Sequence, residues 1–329
     1  MAELEYGNRD NLFNVIKKLG PDGRMLDMVN ALTENNPYLR FLPSLPTNYG
    51  NSFKGLRKVS LPSPSIKVVG GGVTPSRGDS APFVEGICII ASEYQVPEDV
   101  LAHSADPVAH RRDEERDHEE AISQSFANLL IQGDATQAPE TINGLQNRAP
   151  WNDVSETEYC IDLGGTSNLR SCWLMCPGRS RFHLLHNGIN PMTSVKRTVK
   201  PSQRVAVTTT DSNGSGYRWD SFTEFEFEQG FAVPDQRAVK RLANIDYSDK
   251  AGTVDLVDQV IFARLIHGIP GQWYLVCDPY IYINLVQAAG KLQNVRYSAD
   301  NPYRMELPMI GDVIVSRCDA LNTSESQVT

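Results

Sequence analysis

Residues 107–132 most tightly constrain how this chain can fold. Asp106-Pro107 supplies a cap and a proline at the first helical position, and Gly133 supplies a stop. A helix over that span would run for about 39 Å. Its first half contains RRDEERDHEE, residues 111–120, where nine of ten side chains are charged and the tenth is a histidine. Arg111 with Glu115, and Arg116 with Glu119 and Glu120, fall at helical i+3 or i+4 spacing and support the helix by a few tenths of a kcal/mol each. Six carboxylates against three guanidiniums leave this half at −3. The second half carries Ile122, Phe126, Leu129 and Leu130 on a core-facing stripe. Glu114 and His118, four apart, would share a helix face, but no third ligand accompanies them. The charge run reads as a wet helix face whose charges meet another surface.

The rest of the composition is ordinary for a globular chain. Its 329 residues are 40% hydrophobic and 22% charged, enough for two domains or one large composite one. A net charge of −9 argues against gripping nucleic acid over a broad surface, because that affinity comes from Lys and Arg neutralising phosphates. The six cysteines form no CxxC, and only Cys172 and Cys176 are close, which fits free buried thiols in a reducing compartment. The start, MAELEYGNRD, has no signal-peptide character, and no run of about 18 apolar residues could span a membrane.

Residues 10–36 read as two short helices, an arm rather than a domain. Residues 43–86 are punctuated by Pro43, Pro46, Pro62, Pro64, Pro75 and Pro82 and by seven glycines. Between them lie FKGLRKVSL and SIKVVGGGV, the pattern of a long, open, hairpin-like loop. Such loops are uncommon in compact domains and tend to reach a partner. Lys54, Arg57, Lys58, Lys67 and Arg77 against Asp79 and Glu85 leave it at +3. Beyond residue 150 the pattern is mixed α/β. SCWLMC, QWYLVC and DVIVSRCDAL read as strands, and RVAVTTT with YRWDSFTEFEFEQGFAV as a long hairpin about DSNGSG. In that second strand Trp219, Phe225, Phe227, Phe231 and Val233 share one parity and Glu224, Glu226 and Glu228 the other. Thr253–His267 is an amphipathic helix with Val254, Val257, Ile261 and Leu265 in line, and Asp278-Pro279 opens another.

Several short motifs could carry chemistry. IDLGGTSN at 161–168 resembles the phosphate turn of sugar kinases in the actin-like ATPase superfamily. There a glycine pair would admit phosphate, and Asp162, Gly164, Gly165 and Thr166 would form the site. That fold needs a second phosphate motif, which this chain lacks. RGD at 77–79 and GGG at 70–72 are explained by loop conformation. HLLH at 183–186 has no third ligand for zinc. No catalytic residue, cofactor or metal site is expected.

The order of blocks resembles tailed-phage major capsid proteins of the Hong Kong 97 fold, most closely those of short-tailed phages. The residues that carry the likeness are GPDGRMLDMVNALTENNPYL, LPSPSIKVVGGGVTPSRGDSAPFVEGICIIASE, DEERDHEEAISQSFANLLIQGDATQAPETINGL, GTSNLRSCWLM, RLANID and GDVIVSRCDAL, over residues 11–322. The resemblance implies an α+β fold with an N-terminal arm (1–44), an extended loop (45–86) and a peripheral domain (87–150) with a spine helix (107–132). It implies an axial domain in two parts (151–200 and 236–322) and a long hairpin in the peripheral domain (201–235); past the resemblance, the polar run NTSESQVT reads as low in structure, a flexible tail (323–329). The resemblance implies a non-enzymatic shell subunit that assembles into the icosahedral capsid around double-stranded DNA. A non-viral nanocompartment shell of the same fold and the sugar kinase are the alternatives. Implied partners are other copies in hexamers and pentamers, a separate scaffolding protein, a portal protein and a decoration protein if one coats the shell. The implied location is the virion, after assembly in the host cytoplasm. In this fold the extended loop of one subunit crosses the spine-helix region of its neighbour. Lys54, Arg57, Lys58 and Lys67 are therefore expected to face Glu115, Glu119 and Glu120 of another copy.

Overall fold

The computed structural model describes residues 36, 38–103, 106–138, 140–188, 195–207, 216–248, 253–266, 269–292, 295–297, 308–321 and 325–328. Apart from Asn36, the helical arm expected over 10–36 lies outside them, as do 211–215 of the hairpin turn and His267. In chain order the elements begin with α1 (Tyr38–Phe41), β1 (Ser44–Pro46), β2 (Ser52–Lys58), β3 (Ser80–Pro97), α2 (Glu98–His103) and α3 (Pro107–Gln132). Then come β4 (Cys160–Asp162), β5 (Leu169–Met175), β6 (His183–His186), β7 (Lys196–Val207), β8 (Gly216–Ala232) and β9 (Val239–Asp246). The last are α4 (Thr253–Leu265), β10 (Trp273–Cys277), α5 (Pro279–Leu292), β11 (Val295–Tyr297), β12 (Pro308–Ile310) and β13 (Val313–Arg317). Strands β1-β6-β8-β3-β2 form one sheet in that order, with β7 also on β8, and β11-β12-β13-β10-β5-β9-β4 form the other.

The chain divides into two compact units. The first takes the described residues of 89–126 and 194–228. Its core gathers Tyr94, Val96, Val100, Leu101, Ile122 and Phe225. Helix α3 enters that core by its apolar stripe: Ile122 is buried, and Phe126 meets Phe227 edge to face at 5.4 Å. At its start the Val108 N–H is capped by Asp106 Oδ1 at 3.1 Å. The hairpin pairs Lys196 with Glu226 through to Val207 with Gly216, so its first strand begins earlier than RVAVTTT. The ladder slips between Lys200 and Gln203. Pro201 sits there with no N–H to offer, and such slips are where sheets tolerate proline. Alternation buries Phe225, but Trp219, of the same parity, is 56% exposed.

The second unit takes residues 34–88, 127–193 and 229–329. Its seven-stranded sheet is mostly buried on both faces, which explains the near-continuous apolar runs: every residue of β5 is buried. Helices α4 and α5 pack Leu256, Val257, Val260, Ala263, Ile281 and Leu285 against Cys172, Leu174, Leu242 and Leu275 of the sheet. Asp278 fixes the start of α5 by accepting from Tyr280 N–H at 2.9 Å, and it also pairs with buried Arg170. The Arg170 guanidinium lies over the rings of Tyr247 at 4.3 Å and Tyr280 at 4.8 Å.

Helix α4 corrects one expectation from sequence. Val257 is buried as expected, but Ile261 and Leu265 are exposed, and Leu256, Val260 and Ala263 take the core positions instead. The helix is apolar around most of its circumference, so periodicity alone could not choose which stripe meets the sheet.

Candidate subunit interface

The extended loop is rooted by a short antiparallel ladder that pairs Ser52 with Gly86 through to Lys58 with Ser80. Its second strand is thus SAPFVEG, where the sequence pattern suggested SIKVVGGGV. Pro62, Pro64 and Pro75 lack the N–H a ladder needs, and residues 59–79 form no strand. The loop's two limbs still touch: Val59 N–H and Ser60 N–H donate to Asp79 O at 3.0 and 3.3 Å, and Ser76 Oγ donates to Ser63 O at 2.8 Å. At the tip Gly70 adopts φ +86°, the left-handed conformation glycine favours, and Gly71 N–H closes a turn onto Val68 O at 2.9 Å.

This loop presents apolar side chains to solvent. Leu61, Ile66, Val68, Val69 and Val73 are 61–102% exposed. Large apolar side chains exposed together on one loop mark a place where something else docks. Charge is arranged along the same element. Lys54, Lys58 and Lys67 are exposed, with the Lys54 ammonium 3.4 Å from the centroid of the Tyr49 ring. Arg57 differs from them. Its Nη2 donates to Val233 O at 2.7 Å and its Nε to Pro234 O at 3.0 Å, so it ties the ladder to its own unit. Arg148 does the same from the other strand, paired with Glu85 at 2.7 Å and stacked 4.3 Å over Phe231. Sequence reasoning missed this anchor because the Arg148–Glu85 pair spans 63 positions.

The three carboxylates share α3. Glu119 is exposed, Glu115 pairs with Arg197 at 2.5 Å, and Glu120 accepts from Gln124 Nε2 at 3.1 Å. His118 is a packing residue. Its ring stacks on Phe225 at 5.5 Å with planes 8° apart, and Nδ1 shares a 2.6 Å hydrogen bond with Ser92 Oγ. The exposed stripe of α4 adds a second apolar surface that sequence reasoning did not single out: Phe262 is 54% and Leu265 70% exposed. Tyr280 and Ile283 on α5 are also about half exposed.

The remaining motifs have structural explanations. In DLGGT the Asp162 carboxylate is already engaged, accepting from Gly164 N–H at 2.9 Å and Asn244 Nδ2 at 2.7 Å. Gly165 lets two backbones approach: a Cβ there would lie 2.4 Å from Asn244 O. In HLLH both histidines are buried. His186 Nδ1 bonds Ser44 Oγ at 2.8 Å, and His183 sits edge-on to Phe53 at 5.5 Å. Burial pushes the His183 imidazole down to about 4. Among the described residues no group of three His, Cys, Asp or Glu could hold a metal ion, and no helix is long and apolar enough to cross a membrane. All six cysteines are free and buried, and burial raises the Cys88 thiol to about 11.

Comparison with known proteins places this geometry among capsid proteins. A chain in a solved structure of bacteriophage Epsilon15 superposes with a TM-score of 0.70 at 19% identity, with 100% of each chain covered. The capsid of bacteriophage JBD30 gives a TM-score of 0.52 at 12% identity, covering 89% of this chain and 93% of that one. These likenesses establish the fold, which is the Hong Kong 97-type α+β capsid fold. No curated protein matches the chain. The family model described as "Major capsid protein GP7" matches residues 20–329, and the chain belongs to that family of phage major capsid proteins.

Proposed function

We propose that this capsid subunit assembles with copies of itself into hexamers and pentamers of an icosahedral shell around the double-stranded DNA of a tailed phage. The observation that carries this reading is the loop at 59–79, whose large apolar side chains stand in solvent although the chain buries an extensive core elsewhere. Assembly takes place in the host cytoplasm with a separate scaffolding protein and a portal protein, and the outer face is open to a decoration protein. The net charge of −9 suits a wall that contains DNA without holding it. The arm (1–44), loop (45–86), peripheral domain (87–150 with the hairpin 201–235) and axial domain (151–200 and 236–322) divide this work.

Within the shell, the loop of one copy lies across the spine helix of the next. Lys54, Lys58 and Lys67 face Glu115, Glu119 and Glu120, while Arg57 holds the loop's base at the angle the crossing needs. Each exposed pair contributes about 0–1 kcal/mol, so the pairs set register more than affinity. Electron microscopy and sedimentation of the purified protein test the assembly itself, with closed or partial shells or free capsomers as the expected result. Glu115→Lys, Glu119→Lys and Glu120→Lys together should impair assembly, and Lys54→Glu, Lys58→Glu and Lys67→Glu should partly restore it. Shells that form equally well with the first set alone would remove the charge pairing and leave the apolar loop as the contact.

A further inference from the structure

The described residues Glu325–Val328 are read from sequence as part of a free tail, yet they are hydrogen-bonded to the seven-stranded sheet. Glu325 N–H donates to Leu169 O of β5 at 3.0 Å. Its carboxylate Oε2 accepts from Arg241 Nη2 of β9 at 2.7 Å and from Ser171 Oγ of β5 at 2.5 Å. Three residues on, Val328 N–H donates to Asn244 Oδ1 at 2.9 Å, and Val328 O accepts from Asn244 Nδ2 at 2.9 Å. One side-chain amide thus reads both backbone groups of a single residue. Ser326 and Gln327, between the two anchors, are exposed and unread.

The receiving residues are built for this. The Arg241 side chain is 2% exposed and that of Glu325 6%. Arg241 Nε donates to Ser171 Oγ at 3.0 Å and Nη1 to Trp151 O at 3.3 Å, so the guanidinium is held from three sides. The counter-charge in its hydrogen-bond shell is Glu325. A buried charge stripped of its partner is strongly unfavourable. Asn244 is positioned just as firmly. It takes φ +56°, its carbonyl accepts from Gly165 N–H at 2.9 Å, and its amide also reaches Asp162. The DLGG turn that looked like a phosphate loop therefore serves to aim Asn244.

We propose that the slot over β5 and β9 is a peptide-binding site for an extended segment that offers a glutamate and, three residues later, a free backbone N–H and C=O, filled here by residues 325–328 of the same chain, and that docking of this segment is a latch that completes the burial of Arg241. Its ligand class is set by four groups: a guanidinium and a hydroxyl for a carboxylate, a sheet carbonyl for one N–H, and a carboxamide for a peptide unit three residues later. The inference does not rest on the shell reading, since every contact lies within one unit of one chain.

Hydrogen exchange of the full chain, read by mass spectrometry, tests it. The amides of Glu325 and Val328 should exchange slowly. Asn244→Gly accommodates φ +56° but removes both amide contacts, and Glu325→Gln removes the charge. Each should speed exchange in the segment at least about tenfold while β10 stays protected. A labelled, acetylated peptide NTSESQVT (residues 322–329) should then bind saturably to the full-length Glu325→Gln chain. It should bind far less to the unsubstituted chain, whose slot is filled, and not to a chain carrying Glu325→Gln with Arg241→Met. If Arg241→Met loses the protection of β10, Glu325→Gln with Asn244→Gly takes its place in the comparison. Free exchange of the segment in the unsubstituted chain, or peptide binding indifferent to Arg241 and Asn244, would overturn the proposal.

Discussion

His183 is fully buried beside Phe53, a residue of the strand that roots the extended loop. Burial disfavours the imidazolium and pushes the group down to about 4, against an ordinary value of 6.5. The unfolded chain therefore binds more protons than the folded chain between these values, so stability rises with pH across that window. The contribution is fully present above about 6.5 and is lost as pH falls through about 4. Two and a half pH units correspond to about 3 kcal/mol. His183→Phe keeps an aromatic edge against Phe53 and cannot titrate. We expect it to flatten the decline in urea midpoint between pH 7 and pH 4 relative to the unsubstituted protein. An equal decline in both proteins would place the acid sensitivity in the carboxylates. Nothing in HLLH announced this role. Two histidines three apart look alike in sequence, and only the fold gives His186 a serine partner and sets His183 against the Phe53 ring.

At the level of elements, the DLGGT turn separates two kinds of glycine. Gly164 has φ +73° with open space where a Cβ would go, so Gly164→Ala should cost about 1–2 kcal/mol from backbone strain alone. Gly165 has no such φ, but its missing side chain admits Asn244 O and Asp246 N, at 2.4 and 3.0 Å from an added Cβ. Gly165→Ala must push β9 away and should cost more, about 2–4 kcal/mol, seen as the larger fall in melting temperature. A phosphate-binding turn would show the opposite signature, lost ligand affinity with an intact melt. The elements themselves were legible to different degrees, for physical reasons. Helix α3 was written in local grammar, a cap, a proline and a glycine stop, and it spans Pro107–Gln132. The strands β5, β10 and β13 were legible because sheet burial on both faces demands unbroken apolar runs. The partner of β2 is SAPFVEG although SIKVVGGGV has the better strand propensity, because register is set by where the limbs meet and not by local propensity. The commitment of Arg57 to backbone carbonyls, and of Glu115 to Arg197, is long-range and leaves no trace in spacing.

For the whole molecule, two groups of exposed apolar side chains among the described residues call for a partner: those of the loop at 59–79 and those of the outward stripe of α4. On α4, Leu256, Val260 and Ala263 satisfy the sheet, so Phe262 and Leu265 add nothing to the core of their own unit. A helix that needed only to cover a sheet would carry polar residues there. Burying one such side chain against another copy is worth about 1.5–3 kcal/mol, and a closed shell repeats that gain at every subunit. Phe262→Ser with Leu265→Asn should therefore separate folding from assembly. The monomer's unfolding free energy should move by no more than about 0.5 kcal/mol, the ordinary range for exposed positions. Sedimentation should nevertheless shift from large assemblies toward single subunits. Ile66→Ser with Val69→Ser in the loop should do the same if both surfaces are interfaces between copies. The pair of variants discriminates between two designs. If either alone abolishes shells, subunits are held by weak contacts acting together, each needed because none suffices. If the loop variant still forms capsomers that fail to close into shells while the α4 variant forms none, α4 builds the capsomer and the loop joins one capsomer to the next. Loss of monomer stability in the α4 variant would mean that the exposed stripe belongs to the fold after all, and the helix would have to be reassigned to the core.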